Sequence, residues 1–333
     1  MDRRSWTLLL ILAAIWGASY MFIKVGLRDL DPVMIAFARI ALAALVLVPL
    51  AASRGALRGL PEKAALLLLL GAVQAAGPFL LIALGEEEIS SSLAGILVAS
   101  TPVFTALLAI WVDHDERAEG LRLVGILAGI VGVAVLLGVD LGGSGAALLG
   151  GLAVVLASLG YAIGGFMVKH RFGEFQPIGV AGAVMVASTL LLLPAAAFSL
   201  PDDGVALAPA ASVLALGVVG TGVAFALFYE LMTTVGPART FIVTYLAPAF
   251  AVVYGATLLD EEVTAATIAG MVLIVTGSYL AAEGRLPGRR RPVAGAGPIG
   301  IALPPATSEA RRAPPEPGPA RSRQPTRADP EAS

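Results

Sequence analysis

The sequence predicts an all-α membrane protein with ten transmembrane helices in two inverted five-helix repeats, N-in/C-in, followed by a disordered C-terminal tail. Three observations predict it. The 333 residues are 57% hydrophobic and 14% charged, against about 45–50% apolar and about 25% charged in soluble domains. The charges fall between long apolar runs rather than along them. The second half of the chain repeats the first at a nearly constant spacing. Cys is absent, so disulfides and thiolate metal sites are excluded. Asn is absent, so no N-glycosylation sequon exists.

The elements follow in order. Residues 5–23 form a charge-free run of 19 after Arg3 and Arg4. That exceeds the ~7–15 residues of a signal-peptide core, so the run is read as a retained helix. Residues 32–53 are interrupted only by Arg39. Charge-free windows then cover 64–85, 89–112, 123–139, 141–168, 175–201, 204–229, 240–259 and 263–282. A spanning helix needs about 20 mostly apolar residues, and these windows reach or approach that. The alternation of a membrane β-barrel is missing.

Orientation comes from Lys and Arg, which collect in cytoplasmic loops. With the N-terminus inside, the inner segments hold Arg3, Arg4, Arg54, Arg58, Lys63, Arg117, Arg122, Lys169, Arg171, Arg239 and the arginines at 285–291. The outer segments hold Lys24 and Arg28, with acids at 86–88, 140, 202–203 and 260–262. The bias holds across all ten windows, and losing one helix would invert every later loop. Residues 1–4 are thus a cytoplasmic N-terminus, and residues 284–333 a cytoplasmic tail. The tail carries 11 of the 22 Pro and nine Arg. It has too little apolar surface to offset the entropy of ordering. Its Arg-rich start suits anionic lipid headgroups.

At a spacing of 146, Gly71 meets Gly217, Phe79 meets Phe225, Ile96 meets Ile242, Pro102 meets Pro248 and Phe104 meets Phe250. At 145, Trp16 meets Tyr161, Lys24 meets Lys169, Pro32 meets Pro177 and Pro49 meets Pro194. The repeats run over 5–138 and 146–282. An odd helix number forces the copies into opposite orientations, the arrangement of alternating-access transporters. Pro102 and Pro248, matched between copies, predict kinked helices that face the interior, because a freed backbone carbonyl needs protein or cavity water nearby.

With these motifs the chain resembles the drug/metabolite transporter superfamily, specifically its EamA-like ten-helix exporters. The resemblance is carried by WGASY at 16–20, Pro32 followed by Arg39, STPVFTALLA at 100–109, LAPAFAVVYGATLLDEEVT at 246–264 and TIAGMVLIVTGSYL at 267–280. It covers residues 5–282. It implies inverted repeats, an inner (plasma) membrane location and export of small metabolites or drugs, without identifying the substrate. The first copy departs from the pattern after its fourth helix, where VDHDERAEG leaves the counterpart of Glu261 open between Asp115 and Glu116.

Ionisable residues within spanning segments are costly and mark function or internal pairing. Arg39 is placed to bind a substrate carboxylate or phosphate with its planar fork, or to bond carbonyls of a neighbouring helix. Glu230 reads as a proton carrier, or as a carboxylate at the cytoplasmic rim near Arg239. Trp16, Ser19, Tyr20, Gln74, Ser100, Thr101, Tyr161, Tyr229, Thr244 and Tyr245 supply the polar and aromatic groups of a largely apolar binding site. Each also has an ordinary structural reading as an interhelical contact. Gly125–Gly129 and Gly160–Gly164 read as close helix packing.

The expected partners are a small-molecule substrate and membrane lipid, with proton coupling and a monomer or homodimer both open. No cofactor or metal is expected. His114 and His170 stand in loops without ligand spacing. GGSG at 142–145 is a turn rather than a phosphate loop. No nucleotide-hydrolysing loop is present, so transport draws on a gradient or runs downhill. Two other readings are a polytopic enzyme acting on a lipid-linked substrate and a membrane scaffold or sensor that docks through its tail. The inverted repeat favours a secondary transporter over both.

Overall fold

A bilayer offers no hydrogen-bond partners, so an apolar segment that crosses it must satisfy its own backbone as a helix. The computed structural model follows that rule; it describes residues 1–112, 119–140, 144–201 and 204–284. The tail and the acidic residues at 113–118 lie outside the described residues. The helices are α1 (Arg3–Gly26), α2 (Pro32–Ser53), α3 (Ala64–Gly71), α4 (Gly77–Glu88), α5 (Ser91–Val98), α6 (Thr101–Val112) and α7 (Leu121–Val135) in the first half. The second half holds α8 (Gly145–Arg171), α9 (Pro177–Ala196), α10 (Leu207–Gly217), α11 (Ala224–Val235), α12 (Pro237–Thr240), α13 (Ile242–Leu258) and α14 (Ala265–Glu283). There is no strand among the described residues. Within those residues, nine helical stretches are long and apolar enough to cross a membrane, and α13 is a shorter apolar helix.

Local chemistry sets the ends. Asp31 caps α2 by accepting from the Val33 amide at 2.8 Å, with Pro32 preset in the first turn. Thr264 and Thr267 form a capping box that starts α14.

The third span of each half carries the same irregularity. A π turn at Ala72–Ala76 joins α3 to α4, and one at Val218–Val223 joins α10 to α11. The repeat spacing superposes their first residues.

The fourth span breaks at Ala99–Ser100, between α5 and α6. Hydroxyls bond several of the carbonyls there. Leu97 O accepts from Ser100 Oγ at 2.6 Å and from Ser158 Oγ at 3.2 Å, and Ala99 O accepts from Ser278 Oγ at 2.7 Å. Pro102 is the second residue after this break. In the second half the interruption falls earlier, at Phe241, and Pro248 lies inside the continuous α13.

Packing crosses between the halves. α1 lies along α13, α2 along α9, α4 along α8 and α7 along α14. Glycine makes the last crossing possible. A Cβ at Gly125 would overlap the Ala281 amide nitrogen, and one at Gly277 would strike Gly129.

At one end of the bundle Lys24 bonds the end of α4 and Glu261 the start of α5. At the other end Lys63 Nζ pairs with Glu174 Oε1 at 2.5 Å, bonds Arg171 O at 3.0 Å and lies over the Phe175 ring at 4.8 Å.

One expected boundary moves. The third span runs on through Glu86–Glu88 instead of ending at residue 85, so Glu86 is helical and buried rather than in an outer loop. The cause is remote in sequence. Lys24 Nζ donates to Glu86 O at 2.5 Å and to Ile89 O at 3.0 Å, satisfying carbonyls at the end of α4.

Candidate functional site

Arg39 sits in the second turn of α2, 8% exposed. Its Nε donates to Thr221 Oγ1 at 2.9 Å, and that hydroxyl donates to Leu216 O at 2.9 Å. The second bond exists because the π turn displaces the backbone ladder there, leaving a carbonyl for a side chain. The guanidinium carbon lies over the Phe79 ring, 3.7 Å from its centroid, a cation–π contact strengthened by burial. Phe79 in turn meets Tyr161 edge-on, at 6.3 Å between centroids. Tyr20, Tyr161 and Glu86 lie within coulombic reach of the guanidinium. Among the described residues, the Thr221 bond is the hydrogen bond Arg39 makes, which leaves the terminal nitrogens of its fork for a ligand. Such a fork matches a carboxylate or phosphate in bidentate fashion.

The repeat makes the same ring pair twice. Trp16 on α1 meets Phe225 on α11 at 6.2 Å and 70°, and Tyr161 on α8 meets Phe79 on α4 at 6.3 Å and 65°. The symmetry breaks at the charge, because Val184 occupies the position matching Arg39 and Ala75 the one matching Thr221. Trp16, Phe225, Phe228 and Tyr229 continue as one aromatic cluster, with Trp16–Phe228 at 5.4 Å and Phe225–Tyr229 at 6.2 Å.

The expected site residues thus divide. Arg39, Tyr20 and Tyr161 gather at the centre. Ser19 lies beside them, its Oγ 3.1 Å from where a Cβ on Gly220 would stand, next to Thr221. Trp16 and Tyr229 belong to the adjoining aromatic cluster. Gln74, on the first π turn, packs on Gly164 of α8. Ser100, Thr101 and Thr244 bond backbone carbonyls beside the helix breaks. Tyr245 packs against Tyr279 at 5.9 Å. Glu230 is exposed on α11, and its main-chain carbonyl accepts from Thr233 and Thr234.

Phe79, Thr221 and Glu86 belong to this centre without having been expected there. Phe79 was visible as the repeat partner of Phe225. Thr221 has no counterpart hydroxyl in the first copy, and Glu86 looked like a loop acid.

At the end of the bundle next to Lys24, Glu261 reaches the start of α5. Its carboxylate accepts from Ser91 N at 2.7 Å, Ser92 N at 3.0 Å and Ser92 Oγ at 2.5 Å. An anion on a helix N-terminus is the favoured arrangement. The preceding Asp260 is left-handed, at φ 54°, and this turns the chain back so that Glu261 can dock.

The EamA-like transporter family model matches this chain twice, over residues 4–138 and 148–282. A probable amino-acid metabolite efflux pump of Escherichia coli (strain K12) is 28% identical over 296 residues, covering 84% of this chain and 95% of that protein. An uncharacterized inner membrane transporter of the same strain, YedA, is 27% identical over 288 residues, covering 82% and 90%. A solved crystal structure superposes with a TM-score of 0.60 at 18% identity, covering 84% of this chain and 98% of its own, and speaks for the fold alone.

Proposed function

The chain belongs to the EamA-like transporter family, and from that premise we propose that it exports small carboxylate-bearing metabolites, amino acids or compounds related to them, by alternating access. A multi-pass membrane transporter is what the family and the apolar helices establish. The substrate class, the mechanism and the orientation are the proposal.

Arg39 carries the reading. It is a buried guanidinium stacked on Phe79, held by Thr221 through one nitrogen and offering the rest of its fork among the aromatic groups of both repeats. A charge placed there without a carboxylate of the protein bonded to it suits an anionic group that arrives and leaves. The efflux pump relative, described for amino-acid metabolites, points to the same substrate class. The Lys and Arg asymmetry puts both termini in the cytoplasm of a cell whose plasma membrane houses the protein.

Efflux from proteoliposomes loaded with labelled amino acids, or with the same amino acids as amides, tests the reading. Saturable efflux of the acids is expected, with the amides at least about tenfold slower, the factor for one lost charge-assisted pair. Arg39→Lys keeps the charge but loses the stacked fork, and should cost about 10–100-fold in flux. Equal flux of acids and amides, or full flux in Arg39→Gln, would contradict the assignment. Glu230 remains a candidate proton carrier. In that role Glu230→Gln abolishes flux driven by a pH gradient and keeps downhill flux, whereas unchanged pH-driven flux removes it from the coupling path.

A further inference from the structure

Among the described residues, three buried side-chain atoms have no hydrogen-bond partner: both carboxylate oxygens of Glu86 and the hydroxyl of Ser91. All three stand on the junction between α4 and α5. Glu86 is 0% exposed. An ionised carboxylate buried without hydrogen bonds is among the costliest arrangements a protein can hold, and taking up a proton relieves it. Lys24 beside it is bonded to the main-chain carbonyls of Glu86 and Ile89 and, among the described residues, forms no ion pair with the carboxylate. The groups facing this site are Lys24 and Tyr20 from α1, Arg39 from α2 with Tyr161 of α8 beyond it, and Glu261 from the loop before α14. Glu87 and Glu88 follow on α4 itself and are exposed.

The geometry points to Glu86 as a proton-binding latch: this end of the bundle, the outer end in the proposed orientation, closes when Glu86 carries a proton and opens when Glu86 gives it up. The inference rests on the transporter reading for its purpose. Closing takes a proton from hydronium onto a carboxylate oxygen, leaving water and forming one O–H bond. Opening returns the proton to water. Lys24 is the moving part. An ionised Glu86 draws the ammonium off the two carbonyls and onto itself, which uncaps the end of α4. The α4–α5 junction is where Glu261 docks on Ser91 and Ser92, so loosening it frees the α13–α14 loop as well.

The natural absence of Cys makes the test clean. Ile89, 3% exposed beside the latch, is replaced as Ile89→Cys in the full chain and reacted with a maleimide in lipid nanodiscs. Rates are normalised to Leu207→Cys, a position 85% exposed, which removes the intrinsic pH dependence of the thiol. Normalised labelling should be about tenfold faster at about pH 8 than at about pH 5.5, since one bound proton changes the equilibrium up to tenfold per pH unit. Adding Glu86→Gln, a permanent mimic of the protonated acid, should make labelling slow at both values. Glu86→Asp should keep the pH dependence, and the titration of the unaltered Glu86 stands by itself if the Gln variant does not fold. A flat titration with Glu86 intact, or an undiminished one in Glu86→Gln, overturns the proposal. Flux measured on the same protein separates the two readings. Intact flux with flat labelling removes the latch alone, and pH-dependent labelling without flux of any acid removes the substrate assignment alone.

Discussion

Thr221 uses one hydroxyl for two jobs, donating to Leu216 O and accepting from Arg39 Nε. Thr221→Val should leave a buried carbonyl and a buried guanidinium nitrogen unpaired, costing about 1–3 kcal/mol. Thermal unfolding in detergent reads that loss, and Thr221→Ser should recover most of it. Glu261→Ala removes three bonds to the start of α5 and should cost a comparable amount of stability, about 1–3 kcal/mol, read as a lower melting temperature; an unchanged melting temperature would show that this contact holds nothing. Arg39 was legible in the sequence because it is the charge inside an otherwise charge-free window. Glu86 was not. Charge counting ended the third span at residue 85, and the lysine that extends it lies 62 residues away in the chain.

The helices themselves were legible from apolar length, and their irregularities less so. A π turn leaves no mark in hydrophobic periodicity, although Gly71 and Gly217, matched by the repeat, immediately precede the two that occur here. The prolines were matched in sequence and diverge in structure. Pro102 follows a break whose carbonyls Ser100, Ser158 and Ser278 satisfy, while Pro248 is absorbed within α13. Proline permits an interruption, and the surrounding hydroxyls decide where it falls. Glycine spacing was the more reliable guide. Gly125 does face Gly277 across the α7–α14 crossing. Gly125→Leu should therefore cost about 2 kcal/mol or more through overpacking, seen as loss of monodisperse protein on size-exclusion chromatography. Gly138→Leu, with open space where its Cβ would lie, should elute as the unaltered chain does.

Across the whole molecule, the halves interlock instead of standing side by side. α1 runs along α13 and α2 along α9, and the ring pairs Trp16–Phe225 and Phe79–Tyr161 repeat one geometry with exchanged partners. In the proposed alternating-access cycle, such pairing would let one copy take up the conformation the other leaves. The polar groups depart from the symmetry, with Arg39, Thr221 and Glu86 each lacking a like counterpart. In the proposed reading, that asymmetry gives a repeated scaffold one specific site. The orientation has a direct check. Leu207→Cys should react with an impermeant maleimide on intact cells, and Arg54→Cys only after permeabilisation; the reverse pattern would invert the topology. The account's central claim, a carrier with two alternately open states, is tested most directly by solute counterflow. Vesicles containing the purified protein and a high internal concentration of an unlabelled amino acid are placed in a trace of the labelled one. A carrier should accumulate label transiently above its outside concentration, and Arg39→Gln should not. Label that only equilibrates, at a rate indifferent to the internal amino acid, would contradict alternating access.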